Sequence, residues 1–324
     1  MHTRKWAASL NVVLIVSFAI ATSAKISPAQ SSRETPVPAI DKSWPNGILN
    51  LVVIDESWPD VNLNVVVLDK LGAPQTVDEQ EFHLFEDGRE RPLQFRGSPG
   101  SPVSLALIID SSGSMYGRTG SIAAVVNAIV KDLPRGSEVM AVSFNQSAHL
   151  DLEFAPATQA DLSFLGQLDN RGVTALYDAI VVTEKYFSAN ARCARRAVVL
   201  LSDGEDNSSR SKLSDATHSL QWPGAPAFYS FVLPDTEVSG VGTGHDRAAM
   251  EGLARAAGGL ALTPKQNEFM PAITRLTDAI RNQMVVQFTA ADPARDGNAH
   301  KIELRLPDKN LQIHSLHQYF APTK

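Results

Sequence analysis

Five short apolar runs, each followed by a helical pattern, constrain this chain more than any other feature. Residues 105–110, 138–144, 196–201, 228–233 and 259–262 read as strands, and the first four are close to uninterrupted hydrophobic sequence. Runs of that kind are buried on both faces, as strands of a parallel sheet are. Between them lie segments of helical periodicity. Ile122, Val125, Val126, Ile129 and Leu133 recur at intervals of three and four, which predicts a helix over 120–132. Further helices are predicted over 161–168, 174–187, 211–220, 246–257 and 267–281, and residues 148–154 read as an antiparallel partner of 138–144. Regular strand-helix alternation implies an α/β fold with a doubly wound, mostly parallel sheet and helices on both faces.

The first strand ends in chemistry. Leu105-Ala106-Leu107-Ile108-Ile109 runs into Asp110-Ser111-Ser112-Gly113-Ser114. Asp110, Ser112 and Ser114 therefore place three oxygen donors on one tight loop at a strand's carboxyl end, where open α/β sheets bind ligands. Oxygen donors suit a hard cation such as Mg²⁺, which keeps some coordination positions for water or substrate.

This stretch resembles the metal-ion-dependent adhesion site of von Willebrand factor type A domains. Two downstream segments resemble the other parts of that site: Gly172-Val173-Thr174-Ala175-Leu176-Tyr177-Asp178 and Val198-Val199-Leu200-Leu201-Ser202-Asp203-Gly204. The resemblance implies that Asp110, Ser112, Ser114, Thr174 and Asp203 hold a divalent cation directly or through water. It implies Mg²⁺, with Mn²⁺ or Ca²⁺ as alternatives. It also implies recognition of a protein partner through an acidic side chain that completes the coordination, rather than catalysis. Val173 stands where many relatives have Gly. Taken singly, the same residues have plainer readings, with the hydroxyls as helix caps and Asp203-Gly204 as a turn. Asp178 reads as structural, and Glu205 and Asp206 as solvated loop acids. The glycine-rich loop 235–245 follows a strand end and should border the site, as a partner surface or a gate. His245 has no companion at metal-ligand spacing.

An enzyme is the main competing class, as a metal-assisted hydrolase at the same cation. No His-Glu-x-x-His, Gly-x-Ser-x-Gly or Cys-His pairing is present, and Glu205 or Asp206 would have to act as base. The other competitor is a structural assembly subunit. Net charge is −6 with no long basic run, which argues against nucleic acid as a partner. Cys193 is the single cysteine, so an intrachain disulfide is excluded, and no neighbouring base supports it as a nucleophile.

The flanks organise the remainder. Residues 1–24 have the basic start, apolar centre and small-residue end of a secretory signal, with an uncleaved membrane anchor as the rival reading. The bulk of the chain is therefore expected outside the cytoplasm, periplasmic or secreted, or else anchored to the inner membrane and facing out. Residues 25–42 read as a linker. Residues 43–98 form an amino-terminal β segment, 101–283 the type A domain, and 284–324 a carboxy-terminal β segment. Asp87-Gly88 marks a hairpin turn, and strands are expected over 284–290, 301–306 and 311–315. Neither flank is sufficient alone, so the two are expected to pair into one small antiparallel sandwich with the central domain inserted between them. Phe82-His83-Leu84-Phe85-Glu86-Asp87-Gly88 and Asp296-Gly297 through Lys301-Ile302-Glu303-Leu304 resemble exported bacterial proteins of the acidobacterial type with a type A-related domain. Finally, residues 43–55 nearly repeat residues 57–69. The spare copy, with residue 56, is either a local duplication left as a loose edge strand or disordered, or a strand-addition contact over 43–56 for another protein.

Overall fold

The computed structural model describes residues 57–234 and 247–323. The signal-like segment, the linker, the first strand copy (43–56) and the loop 235–245 lie outside the described residues. The amino-terminal flank supplies β1 (Asp60–Leu68), β2 (His83–Glu86), β3 (Arg89–Arg91) and β4 (Gln94–Gly97). The central part runs β5 (Val103–Asp110), α1 (Thr119–Asp132), β6 (Glu138–Phe144), β7 (Ala148–Pro156), α2 (Leu176–Asn190), β8 (Arg195–Ser202), α3 (Leu213–Ser219), β9 (Ala227–Val232), α4 (Arg247–Ala256), β10 (Ala261–Leu262) and α5 (Phe269–Asn282). The carboxy-terminal flank adds β11 (Met284–Thr289), β12 (Ala299–Arg305), β13 (Gln312–His314) and β14 (Gln318–Phe320).

The central sheet has the order β10-β9-β8-β5-β6-β7. All its pairings are parallel except that of β7 with β6. Every residue of β5 is buried, and the alternation of a strand sends them to two cores. Leu105, Leu107 and Ile109 pack with Ile122, Val125 and Ile129 of α1 and Leu276 of α5. Ala106 and Ile108 pack with α2, α3 and α4 through Ile180, Ala216 and Leu253. Truncating a core residue such as Leu107 to Ala would cost about 3 kcal/mol. The α1 helix stops at Leu133 because Pro134 follows, and a residue before proline is pushed to extended backbone.

The expected sandwich is present, each of its two sheets combining both flanks. One has the order β13-β1-β11-β4 and the other β14-β12-β2-β3. The β2–β3 hairpin turns on Asp87 and Gly88, both at positive φ, as the predicted Asp-Gly turn requires. Val61, Leu63, Val65 and Val67 of β1 enter the sandwich core with Leu84, Val286, Phe288 and Tyr319. The opposite face of β1 meets the central part. Val66 and Leu68 join the α1/α5 core, and Asn64 donates to Ala225 O at 2.8 Å while accepting from Arg196 N at 3.0 Å. The Arg195 guanidinium, at the start of β8, donates to the carbonyls of Ser101, Ile280 and Arg281, where the chain enters and leaves the central part. The sandwich thus sits at the amino-terminal ends of β8 and β9, away from the carboxyl ends.

Two expectations need correction, and one strand was not expected. The helix expected over 161–168 is a 3₁₀ segment of five residues, Ser163–Gln167, short enough that i to i+3 bonding suffices. The helix expected from residue 174 begins at Leu176, which leaves Thr174 in the preceding loop. The last strand, β14, has no counterpart in the sequence reading.

Candidate metal centre

Asp110 is the last residue of β5, Ser202 is the last residue of the neighbouring β8, and Asp203 follows it directly. Because Ile109 is paired with Leu201, the parallel register brings Asp110 beside Ser202. The Ser202 hydroxyl donates to Asp110 Oδ2 at 2.6 Å and accepts from Gly204 N at 3.0 Å. Asp110 Oδ1 accepts from Ser112 N at 2.9 Å, which folds the loop back over the strand end. Ser112 and Ser114 share a hydrogen bond of 3.1 Å between their hydroxyls, so two of the three donors are adjacent.

Thr174 arrives on a separate loop tied to the first by backbone. Gly113 N donates to Gly172 O at 3.1 Å, and Arg171 N to Ser111 O at 3.0 Å. Gly172 has a φ of +82°, and a β-carbon there would collide with the Gln146 side chain. The left-handed backbone is what calls for glycine, since the tip of the flexible Gln146 side chain could swing aside. Thr174 is also latched to the loop after Asp203. Its N–H donates to Asn207 Oδ1 at 2.8 Å, and its carbonyl accepts from Asn207 N and Ser208 N, both at 3.0 Å. The three sequence segments are thereby knitted together by hydrogen bonds, with Asp110, Ser112, Thr174 and Asp203 buried and Ser114 half-buried.

Electrostatics distinguish the two carboxylates. Asp110 is pushed up to about 6 by burial and by the charge of Asp203, against the lowering effect of the Ser112 and Ser202 hydrogen bonds. Asp203 has both carboxylate oxygens buried and bonded to nothing among the described residues. Buried carboxylate oxygens are ordinarily hydrogen-bonded, so two orphaned oxygens beside a second buried acid mark a place suited to a cation. Among the described residues, no three His, Cys, Asp or Glu side chains converge as a metal-binding group. The oxygen set here is of another kind, with two carboxylates and three hydroxyls. The residues present fit a hard divalent ion.

The capping readings of Ser112 and Thr174 do not hold, whereas Gly204, with a φ of +94°, does turn the chain after Asp203. Ser112 makes no side-chain capping bond to the turn it precedes, and Ala175 rather than Thr174 occupies the N-cap position of α2. The capping is performed by Asp206, expected above to be a solvated loop acid. Its Oδ1 accepts from Leu176 N at 2.8 Å, Tyr177 N at 3.4 Å and Ser209 Oγ at 2.5 Å. Burial raises its pKa. Asp178 is structural as expected, with its carboxylate accepting from Arg210 N and Ser211 N. Neither Ser202 nor Asn207 is singled out by the sequence reading, and Asp206 enters it only as a loop acid or a candidate base. For Ser202 a signal existed: a hydroxyl one residue before Asp203, at the end of an otherwise apolar strand.

No curated protein matches the chain. Among solved structures, it is similar to a von Willebrand factor type A protein from Catenulispora acidiphila, at 13% identity over 76% of this chain and 75% of that one, with a TM-score of 0.45. It is also similar to an aerotolerance-related membrane protein from Bacteroides fragilis, at 18% identity over 55% and 98%, with a TM-score of 0.44. The PilB minor pilin from Streptococcus sanguinis aligns at 13% identity over 58% and 62%, with a TM-score of 0.43. Residues 105–205, which carry all five candidate ligands from Asp110 to Asp203, match the family model of the von Willebrand factor type A domain.

Proposed function

We propose that this chain is an exported protein-binding module that recognises an acidic group on a partner protein through a divalent cation. Asp110, Ser112, Ser114, Thr174 and Asp203 would hold the ion directly or through water, with Mg²⁺ the first candidate and Mn²⁺ or Ca²⁺ the alternatives. When bound, the ion supplies an electrophilic position that a partner carboxylate can fill. The observation that carries the reading is Asp203, whose two buried oxygens have no partner among the described residues and lie beside a second buried carboxylate. The hydroxyls contribute no charge, and with part of the carboxylate contact running through water the ion's charge would be incompletely cancelled and the ion open to one more carboxylate.

Chain residues do the rest of the work. Ser202 and the Ser112 amide hold Asp110 in one orientation, and Asn207 fixes the backbone of Thr174. Of the two acids that a hydrolytic role could use as base, Asp206 is engaged at the start of α2, which leaves only the exposed Glu205. Export rests on the signal-like residues 1–24. Among the described residues, no helix is long and apolar enough to cross a membrane.

The test is calorimetric titration of the protein with Mg²⁺ and with Mn²⁺ beside Asp110→Ala. Binding that disappears in the variant supports the site and leads to partner capture with and without chelator. Equal heats in both proteins, or none in either, would remove the central support of the reading.

A further inference from the structure

The second half of α2 carries polar side chains on a face that is turned inward. Val181, Glu184, Lys185 and Ser188 stand at positions i, i+3, i+4 and i+7, so all four share one side of the helix. That side does not pack solidly against a neighbour. It lines a cavity of about 470 Å³, whose other walls include Trp222 between α3 and β9, Phe320 of β14, and Arg295 between β11 and β12. The cavity therefore lies between the central part and the sandwich. None of the five candidate metal ligands lines it. A volume of this size at such a junction suits a molecule of one or two rings.

Glu184 is the unusual member of the lining. It is 4% exposed, and a carboxylate at that depth needs partners for both oxygens. Trp222 Nε1 donates to its Oε1 at 2.8 Å, whereas its Oε2 has no hydrogen-bond partner among the described residues. Burial pushes the carboxyl up to about 7, so its charged form lacks the solvation that a bound donor would supply. An acceptor for the indole alone needs no acid, since an amide carbonyl would serve. Lys185 is half-buried, and its ammonium has no ion-pair partner among the described residues. Arg295 adds a second basic side chain, and His218, whose pKa burial lowers, stays neutral. Basic groups thus outnumber the single acid.

We propose that this cavity binds a small aromatic carboxylic acid that carries a hydroxyl group, with the hydroxyl donating to Glu184 and the carboxylate drawn to Lys185. The ring lies against Trp222 and Phe320. Each part of the ligand answers a feature of the lining: a donor for the unpartnered oxygen, a flat apolar body for the aromatic walls, a negative charge for the surplus of basic groups. Both walls are held in place from behind. The Arg196 guanidinium lies 5.5 Å from the Trp222 ring centroid, and the His218 ring lies 4.1 Å from that of Phe320. The cation already beside Trp222 disfavours an organic cation as the ligand.

Equilibrium dialysis of the whole protein tests this, with para-hydroxybenzoate, para-hydroxyphenylacetate and para-hydroxyphenylpropionate as probes of different reach. Chelator keeps the candidate metal centre empty, and a pH of about 8 keeps Glu184 ionised. At least one probe is expected to bind saturably, one molecule to each chain. Glu184→Gln can turn an amide donor to the cavity where the carboxylate accepted, and should weaken that probe about tenfold or more. Lys185→Met should weaken it as well. The analogue without the hydroxyl should bind the unaltered protein about tenfold more weakly, which gives the same reading without any variant. Absence of saturable binding by all three probes, equal affinity with and without the hydroxyl, or undiminished binding in Glu184→Gln would overturn the proposal.

Discussion

Ser202 Oγ lies 2.6 Å from Asp110 Oδ2, a hydrogen bond between the carboxyl ends of two adjacent parallel strands. It holds one acid of the candidate centre while leaving the other, Asp203, without a partner among the described residues. The division of labour suggests separate consequences for changing each residue.

Ser202→Ala removes the donor to Asp110 and the acceptor for Gly204 N in a buried setting. A loss of about 1–3 kcal/mol is expected, because a buried partner left unsatisfied keeps its full desolvation penalty. Urea unfolding in the presence of chelator measures it, and a change below a few tenths would contradict the assigned bond.

Asp203→Asn should act in opposite directions with and without metal. In chelator it relieves the repulsion that raises Asp110, so the thermal midpoint should rise by a few degrees. Addition of Mg²⁺ should raise the midpoint of the wild type and leave that of the variant unmoved, since only native-state binding stabilises. A variant that responds to Mg²⁺ like the wild type would count against Asp203 as a ligand.

Asp206→Ala strips the start of α2 of its acceptor. A cap of this kind is worth about 0.5–2 kcal/mol. Hydrogen exchange at the amides of Leu176 and Tyr177 should accelerate together with the loss of stability. Unchanged protection there would show that another group caps the helix.

Glu184, on α2, is buried and pushed up to about 7 by desolvation, against the lowering effects of the Trp222 Nε1 hydrogen bond at 2.8 Å and the charge of Arg196. A folded-state value above the unfolded one means that the native protein binds the proton more tightly. Stability attached to this group is therefore full below about 4.5, declines as pH rises from there to about 7, and is lost above it. Glu184→Gln should flatten the pH profile in that window and be more stable than the wild type at pH near 8, by up to about 3 kcal/mol. Parallel profiles for the two proteins would show that Glu184 does not titrate there.

The central architecture was legible because its signals are redundant. The buried run 105–110 and the periodic Ile122, Val125 and Ile129 specify strand and helix independently, and both are observed at those places. Pairing of the flanks could be inferred because neither half carries a sufficient core. Less accessible were contacts that depend on where chains meet. Asp206 reads as a loop acid because the helix it caps lies about thirty residues earlier in the chain. β14 is three residues long, too short for periodicity, and exists through its pairing with β12. Thr174 reads as the start of a helix because an apolar-periodic segment follows it, whereas the observed helix begins only where the Asp206 carboxylate receives its first amides.

The position of the sandwich has an orientational consequence. Its contacts with the central part include those of Asn64 with Arg196 and Ala225, at the starts of β8 and β9, whereas Asp110 and Asp203 lie at strand exits. Eight residues of β5 separate the two levels, a rise of about 23 Å. The sandwich is a pedestal, and the oxygen-rich rim is what it holds aloft. A load applied at the rim would pass down the hydrogen-bonded strands into the base.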